Sequence, residues 1–253
     1  QNKYEEAIKE YHLLIPQIKS TNGDYDTTYL IDYYEKLASC FKEINNIDSS
    51  IYYEGKIIEI GSFHNLFHIE YYQFKALLYS NSLFTLGKTE EAEKTVCDIY
   101  SNYYNLIPDS VKILYLSFKR DLLEDLGKII EIRDLLEEKE NVIRRNIGSN
   151  WLKYEVEIER LANNYFFIDD LTKAEILYKE AILIAQNKFG QKDYNVGDFY
   201  LAGVNFYLNI GLLGEAEELL VLVRKCLSPE DKNSNLFFDY LSAMGRYNEI
   251  KGD

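Results

Sequence analysis

The fold class predicted by this sequence is all-α, an array of antiparallel helix pairs repeating about every 42 residues. Three observations carry that reading. Prolines are scarce and far apart, at Pro16, Pro108 and Pro229, so long stretches lack the strongest helix breaker. A turn pattern recurs at Lys3-Tyr4-Glu5-Glu6-Ala7, Lys88-Thr89-Glu90-Glu91-Ala92, Asp170-Leu171-Thr172-Lys173-Ala174 and Leu212-Leu213-Gly214-Glu215-Ala216, with weaker copies ending at Ser50 and Ile132. The steps along Ala7, Ser50, Ala92, Ile132, Ala174 and Ala216 are 43, 42, 40, 42 and 42 residues. Unrelated amphipathic helices would share a 3.6-residue period but not this register.

Each turn brings its own helix stop. Five residues before those positions stand Asn2, Asn45, Gly87, Gly127, Asp169 and Gly211, and Gly252 continues the series. Gly and Asn reach left-handed backbone angles cheaply and so end helices. Upstream lies a column of mostly small residues, Ala38, Ser80, Arg120, Ala162, Val204 and Gly245. Three residues further on come Phe41, Leu83, Leu123, Tyr165 and Tyr207. Downstream, Ala174, Tyr178 and Ala181 share one helical face, as do Ala216, Leu220 and Val223. Small residues let two helices approach closely while large ones fill the space between them.

This small–large–Gly–Tyr–Ala order resembles the tetratricopeptide repeat over essentially the whole chain. The longer spacing, with an extra stretch joining successive pairs, is similar to the kinesin light chain type. Lys179-Glu180-Ala181 through Gly190 to Ala216 show it best. In that family each unit is two antiparallel helices, units stack into a right-handed superhelix, and first helices line the concave side. The resemblance implies a single array over 1–253, with units near 1–20, 27–62, 66–105, 109–147, 151–190 and 195–228 and half a unit at 235–253. First helices are expected over 27–44, 66–86, 109–126, 151–168, 195–210 and 235–251. Second helices are expected over 3–15, 48–61, 89–104, 128–145, 171–188 and 213–227. The stretch 111–148 departs from the pattern: Arg120 replaces a small residue, Lys119 a large apolar one and Ile132 the usual Ala. Looser packing or a local change of superhelical angle is expected there.

Composition narrows the partners. Hydrophobic residues make up 47% of 253, enough for a continuous core. No stretch approaches the roughly 18–20 uncharged apolar residues that span a bilayer, so no membrane insertion is expected. Acids outnumber bases by 42 to 28, a formal charge of -14, and basic pairs such as Arg144-Arg145 sit among acids. Nucleic acid, which demands phosphate-neutralising cations, is disfavoured. Cys40, Cys97 and Cys226 are odd in number and form no CxxC pair, so they read as reduced thiols, favouring a cytoplasmic location over a secreted or periplasmic one. Gln1 opens no signal-peptide pattern, and the reading is that a leader was removed or that the chain is part of something longer.

Chemistry-bearing motifs are weak. Leu86-Gly87-Lys88-Thr89 resembles the tail of a phosphate-binding loop, yet Ser82 stands where that loop needs Gly and no strand precedes it. His64 and His68 have metal-ligand spacing but Asn65 replaces the Glu of an HExxH motif and no third ligand is evident. Asp169-Asp170 reads as helix-turn polarity rather than an acid–base pair. No enzyme, cofactor or metal is expected. Of the 23 tyrosines, Tyr11, Tyr165, Tyr178 and Tyr207 fall in packing columns, whereas Tyr71-Tyr72 and Tyr103-Tyr104 suggest sticky surface.

The expected function is a protein- or peptide-binding scaffold using the concave face. If the family geometry holds, one column there reads Ser39, Asn81, Asp121, Asn163, Asn205 and Arg246. A second reads Lys42, Phe84, Glu124, Phe166, Leu208 and Glu249, and a third Glu35, Leu77, Ser117, Glu159, Leu201 and Ser242. Asn offers donors and an acceptor to a peptide backbone, and Phe84, Phe166 and Leu208 are expected as apolar anchors. A Lys–Asn clamp for a terminal carboxylate is not supported, because Leu77, Glu159 and Leu201 stand where the Lys would be. The ligand is expected to be neutral or basic. The alternative is a regulatory or sensory ligand-binding region of a larger signalling protein. The last helix carries Leu236, Phe237, Phe238, Leu241, Met244 and Ile250, more apolar residues than one contact stripe needs. A further repeat or self-association through that open end is therefore expected.

Overall fold

Long proline-free stretches punctuated by Gly, Asn or Asp fold as helices separated by tight turns. The computed structural model describes residues 2–18, 27–67 and 69–252, with no strand among them. Two compact units divide the chain, Gln1–Lys128 and Ile129–Asp253. The first holds α1 (Asn2–Leu14), α2 (Thr27–Glu43), α3 (Ile47–Phe63), α4 (Glu70–Thr85), α5 (Thr89–Tyr103) and α6 (Asp109–Asp125). The second holds α7 (Ile129–Arg145), α8 (Tyr154–Phe167), α9 (Leu171–Phe189), α10 (Tyr194–Asn209), α11 (Leu213–Cys226) and α12 (Asn235–Lys251). Short 3-10 turns occur at Ile15–Gln17, Tyr104–Leu106 and Pro229–Asn233.

The helix stops sit where the sequence puts them. Asn45, Gly87, Gly127, Asp169, Gly211 and Gly252 all have positive φ, between 61° and 84°. The next N–H then turns back to a carbonyl in the column of large residues: Asn46 to Phe41, Lys88 to Leu83, Lys128 to Leu123, Asp170 to Tyr165 and Leu212 to Tyr207, at 2.8–3.0 Å. This is the bond that satisfies an orphan carbonyl at a left-handed helix end. The following helix starts at once, and in two places its first turn is capped. Asn46 accepts from the Ser49 N–H, and Asp170 from the Lys173 N–H. Asn2 is the first residue of α1.

Two helix starts also differ from the expected boundaries. α4 begins at Glu70, not 66, because Asn65 takes φ 52° and the Leu66 N–H bonds back to Gly61 at 2.8 Å. α8 begins at Tyr154, not 151, because residues 149–152 are spent on turn hydrogen bonds from Ser149 to Asn146 and from Leu152 to Ser149.

Burial follows the columns. Ala38, Ser80, Ala162 and Val204 are buried, as are Ser50, Ala92, Ile132, Ala174 and Ala216. The Ser50 hydroxyl, short of an apolar methyl, donates to the Ala38 carbonyl across α2 and α3 at 2.9 Å, as a buried donor must. In the irregular stretch, cations take over packing roles. Lys112 is buried beside Asp109 with its ammonium 4.4 Å from the Tyr104 ring centre. Lys119 stands 5.9–6.0 Å from Tyr100 and Tyr115, whose rings stack at 3.6 Å.

Candidate peptide interface

In the second unit α10 packs between α8 and α12, and offsets of three, four and seven residues bring polar side chains of all three helices to one face. Asn163 is exposed, and its carboxamide oxygen accepts from the hydroxyl of buried Tyr178 at 2.5 Å. The ring fills the core and its polar tip orients a surface group. Asn163 in turn donates to the Glu159 carboxylate. One helix on, the Arg246 guanidinium of α12 donates to the side-chain oxygens of Asn205 and Asn209 at 3.1 and 2.8 Å. Both asparagines stay exposed on α10.

Three carboxylates share this face. Burial and then the charge of Asp198 push Glu159 above the usual carboxylate range, and burial and then Asp239 push Asp198 up. No lysine or arginine makes an ion pair with any of the three among the described residues. Arg160, the cation felt by Glu159, is committed to Glu157 at 2.7 Å. A cleft between α10 and α12 is lined by Asp198, Asn205, Asp239 and Ser242.

The apolar positions divide. Phe166 is half-buried, edge-on to Phe206 at 5.7 Å, so part of its ring meets solvent. Leu208 and Leu201 are only 3% and 5% exposed and belong to the core. Leu208 therefore offers no surface to a ligand, because its place on α10 points between helices rather than across them. In the first unit Asn81 is exposed on α4, and Phe84 is half-buried against Phe118 at 5.8 Å. Leu77 is buried. Asp121 and Glu124 are both bound by Arg120, at 2.5 and 2.6 Å, so they offer less charge to a ligand than their sequence suggests.

Sequence columns missed Asp198, Asp239 and Asn209. The signal was present, since Asp198 and Asp239 stand seven residues, two helical turns, before Asn205 and Arg246.

The other motifs serve structure. Residues 86–89 form a helix–helix turn in which the Thr89 hydroxyl donates to Asp125 at 2.9 Å. Asp170 caps α9 and pairs with Arg133 at 2.7 Å. His64 is exposed at the end of α3, and His68 lies outside the described residues, among which no cluster of three metal-ligating side chains occurs. Burial pushes the Cys226 thiol up to about 11 and raises Cys40 and Cys97, which disfavours thiolate chemistry. No helix is long and apolar enough to cross a membrane among the described residues.

No protein-family model and no curated sequence matches the chain. Solved structures do. Kinesin light chain repeats from Podosopora anserina, described as nearly identical TPR-like repeats, superpose with a TM-score of 0.66 at 14% identity, covering 81% of this chain and 97% of theirs. A point variant of those repeats gives 0.65 at 14%, covering 81% and 95%. BtubC from P. vanneervenii gives 0.51 at 13%, covering 90% of this chain and 92% of its own. At such identities the likeness speaks to fold alone, and the fold is that of tetratricopeptide-like, all-α helical repeats as seen in kinesin light chain.

Proposed function

We propose that this protein is a non-catalytic scaffold that binds a neutral or basic peptide segment of another protein on the α8–α10–α12 face of its second unit. The tetratricopeptide-like fold supports a protein-interaction role. The observation that carries the finer reading is the pairing of three uncompensated carboxylates, Glu159, Asp198 and Asp239, with Asn163, Asn205 and Asn209. The acids attract Lys or Arg side chains, the exposed Asn205 and Asn209 carboxamides, whose oxygens Arg246 engages, offer N–H donors to a peptide backbone, and Phe166 supplies a half-buried aromatic edge. Asn81 and Phe84 present a smaller version of the same chemistry in the first unit, where Arg120 offsets the charge of Asp121.

The test is an array of immobilised peptides of basic, neutral and acidic composition, probed with the wild-type protein and with the Asn163→Ala/Phe166→Ala double variant. Basic and neutral peptides should be retained, and the double variant should retain them several-fold less while keeping its helicity. Preference for acidic peptides, or equal capture by the variant, would remove this face from consideration.

A further inference from the structure

Each second helix turns a face of residues four and three apart towards the first helix of its own pair. In α9 that face is Ala174, Tyr178 and Ala181, and in α11 it is Ala216, Leu220 and Val223, all buried. The opposing face carries the column of small residues. The two columns touch directly where the Ser50 hydroxyl of α3 donates to the Ala38 carbonyl of α2. Two halves of this contact are open. α1 carries the second-helix face as Ala7, Tyr11 and Leu14. Leu14 is exposed, and the other two are only half-buried against the cluster around Leu37 of α2. α12 carries the first-helix face. Gly245 stands in its small column with nothing within 4 Å of its would-be Cβ, and Leu241, one turn earlier, is about half exposed. In α10 the same two places hold Tyr200 and Val204, both fully buried.

A groove between α11 and α12 runs beside that open face, lined by Leu220, Val221, Met244 and Tyr247 together with exposed Arg224. One pair earlier the equivalent groove, between α9 and α10, is filled by the next second helix. There Leu219 of α11 and Ile182 of α9 both close on Gly203 of α10, 2.6 and 3.2 Å from where its Cβ would be.

The charges tell which helix fits the open groove. Between α7 and α9, Arg133 pairs with Asp170 at 2.7 Å and Glu140 with Lys173 at 3.0 Å. Counted from the turn positions Ile132 and Ala174, the first pair joins one residue after to four before, and the second eight after to one before. Carried to Ala216 of α11 and Ala7 of α1, the same offsets set Glu217 against Lys3 and Arg224 against Glu6. The Leu219–Ile182 contact, carried over in the same way, sets Glu10 against Arg224. All three matches join opposite charges, and all five side chains are exposed.

We infer that copies of this chain join head to tail, α1 of one copy packing as the second helix on α12 of another, with Ala7 against Gly245. A second copy is the occupant because α1 brings both the missing half of the small-residue contact and Lys3, Glu6 and Glu10 in the matching places. Such an interface joins two different surfaces, so every copy added presents a further α12 face and the assembly grows beyond a dimer. Leu241 lies about 200° round α12 from Asp239. The peptide face therefore stays open, and the inference does not rest on it.

Sedimentation velocity of the whole chain over a concentration series reads the assembly, and the weight-average mass should rise past that of a dimer. Gly245→Arg blocks the α12 face and Ala7→Arg the α1 face. Each variant alone should sediment as a monomer. Their equimolar mixture should form a dimer and nothing larger, because it holds one working pair of faces. Should thermal melts show either variant to fold poorly, the exposed charges serve in its place. Arg224→Glu and Glu6→Lys/Glu10→Lys should each self-associate at least about tenfold more weakly than wild type, since like charges then meet. Mixing those two proteins should restore association. The idea is overturned by a constant monomer mass for the wild type or by mixtures that stay monomeric. Self-association of folded Ala7→Arg would also overturn it, since α12 would then meet something other than α1.

Discussion

Two glycines in the second unit allow the close approach of its helices to be tested with one substitution of opposite sign. Gly197 lies in α10, and a methyl added there would sit 2.4 Å from Cδ2 and 3.0 Å from Cδ1 of Leu236 on α12. Leu236 is 1% exposed, so its side chain has no open space to swing into. Relief to ordinary van der Waals contact would need more than an ångström of movement, which puts the cost near the top of the ~1–3 kcal/mol range for overpacking. Replacing a mid-helix Gly by Ala returns about 1 kcal/mol of helix propensity. Gly197→Ala should therefore destabilise by about 2 kcal/mol, or roughly 4–8 °C in unfolding temperature at this chain length. Gly245 is interior to α12 but has nothing within 4 Å of its would-be Cβ. Gly245→Ala should keep the propensity gain alone and stabilise by up to about 1 kcal/mol. Urea unfolding followed by circular dichroism measures both. If Gly197→Ala proves as stable as the wild type, α10 and α12 do not approach as described and the packing argument fails.

Three further outcomes follow from the same geometry. Ala174 is fully buried at the repeat contact, so Ala174→Leu should cost roughly 1–3 kcal/mol, and an unchanged urea midpoint would contradict the register. Asp198 has a raised folded-state pKa, so its ionisation opposes folding, and stability from this group is lost as pH rises from the unfolded carboxylate range through the folded value. Asp198→Asn should accordingly be more stable than wild type at pH 7, by less than about 1 kcal/mol because solvent screens this partly exposed group. That advantage should vanish below about pH 4, and thermal melts that show the same difference at both pH values would refute it. Phe238, Leu241 and Ile250 are each about half exposed along α12. We propose self-association through them, which sedimentation velocity should register as a rising weight-average mass with concentration, lost in Phe238→Ser/Leu241→Ser, and a constant monomer mass would exclude it.

Much of this fold was legible because its determinants are local. Helix stops depend on single residues that tolerate positive φ, and six of the seven named positions adopt it. The columns of small and large residues encode helix contacts at fixed offsets, so Ala174, Ala181 and Val223 could be placed in the core before any coordinates. What stayed hidden depends on which way a side chain turns across helices. Leu208 shares its column with Phe84 and Phe166, yet its Cβ points into the core of the second unit. Asp121 looked like a free acid until Arg120, in a place where the repeat has a small residue, reached it from the neighbouring position. Asp198 and Asp239 lay outside the three columns chosen, although their two-turn offset from Asn205 and Arg246 was visible in the sequence.

The central claim is that the acids of the α8–α10–α12 face select the ligand. Fluorescence anisotropy of the best-retained array peptide, titrated with wild-type protein and with Asp198→Asn/Asp239→Asn at a series of salt concentrations, tests it most directly. Wild-type affinity should fall steeply with salt, as expected for attraction between exposed charges. The double variant should bind roughly tenfold more weakly at low salt, with a flattened salt dependence. Equal affinity and an equal salt slope for the two proteins would contradict the assignment of this face.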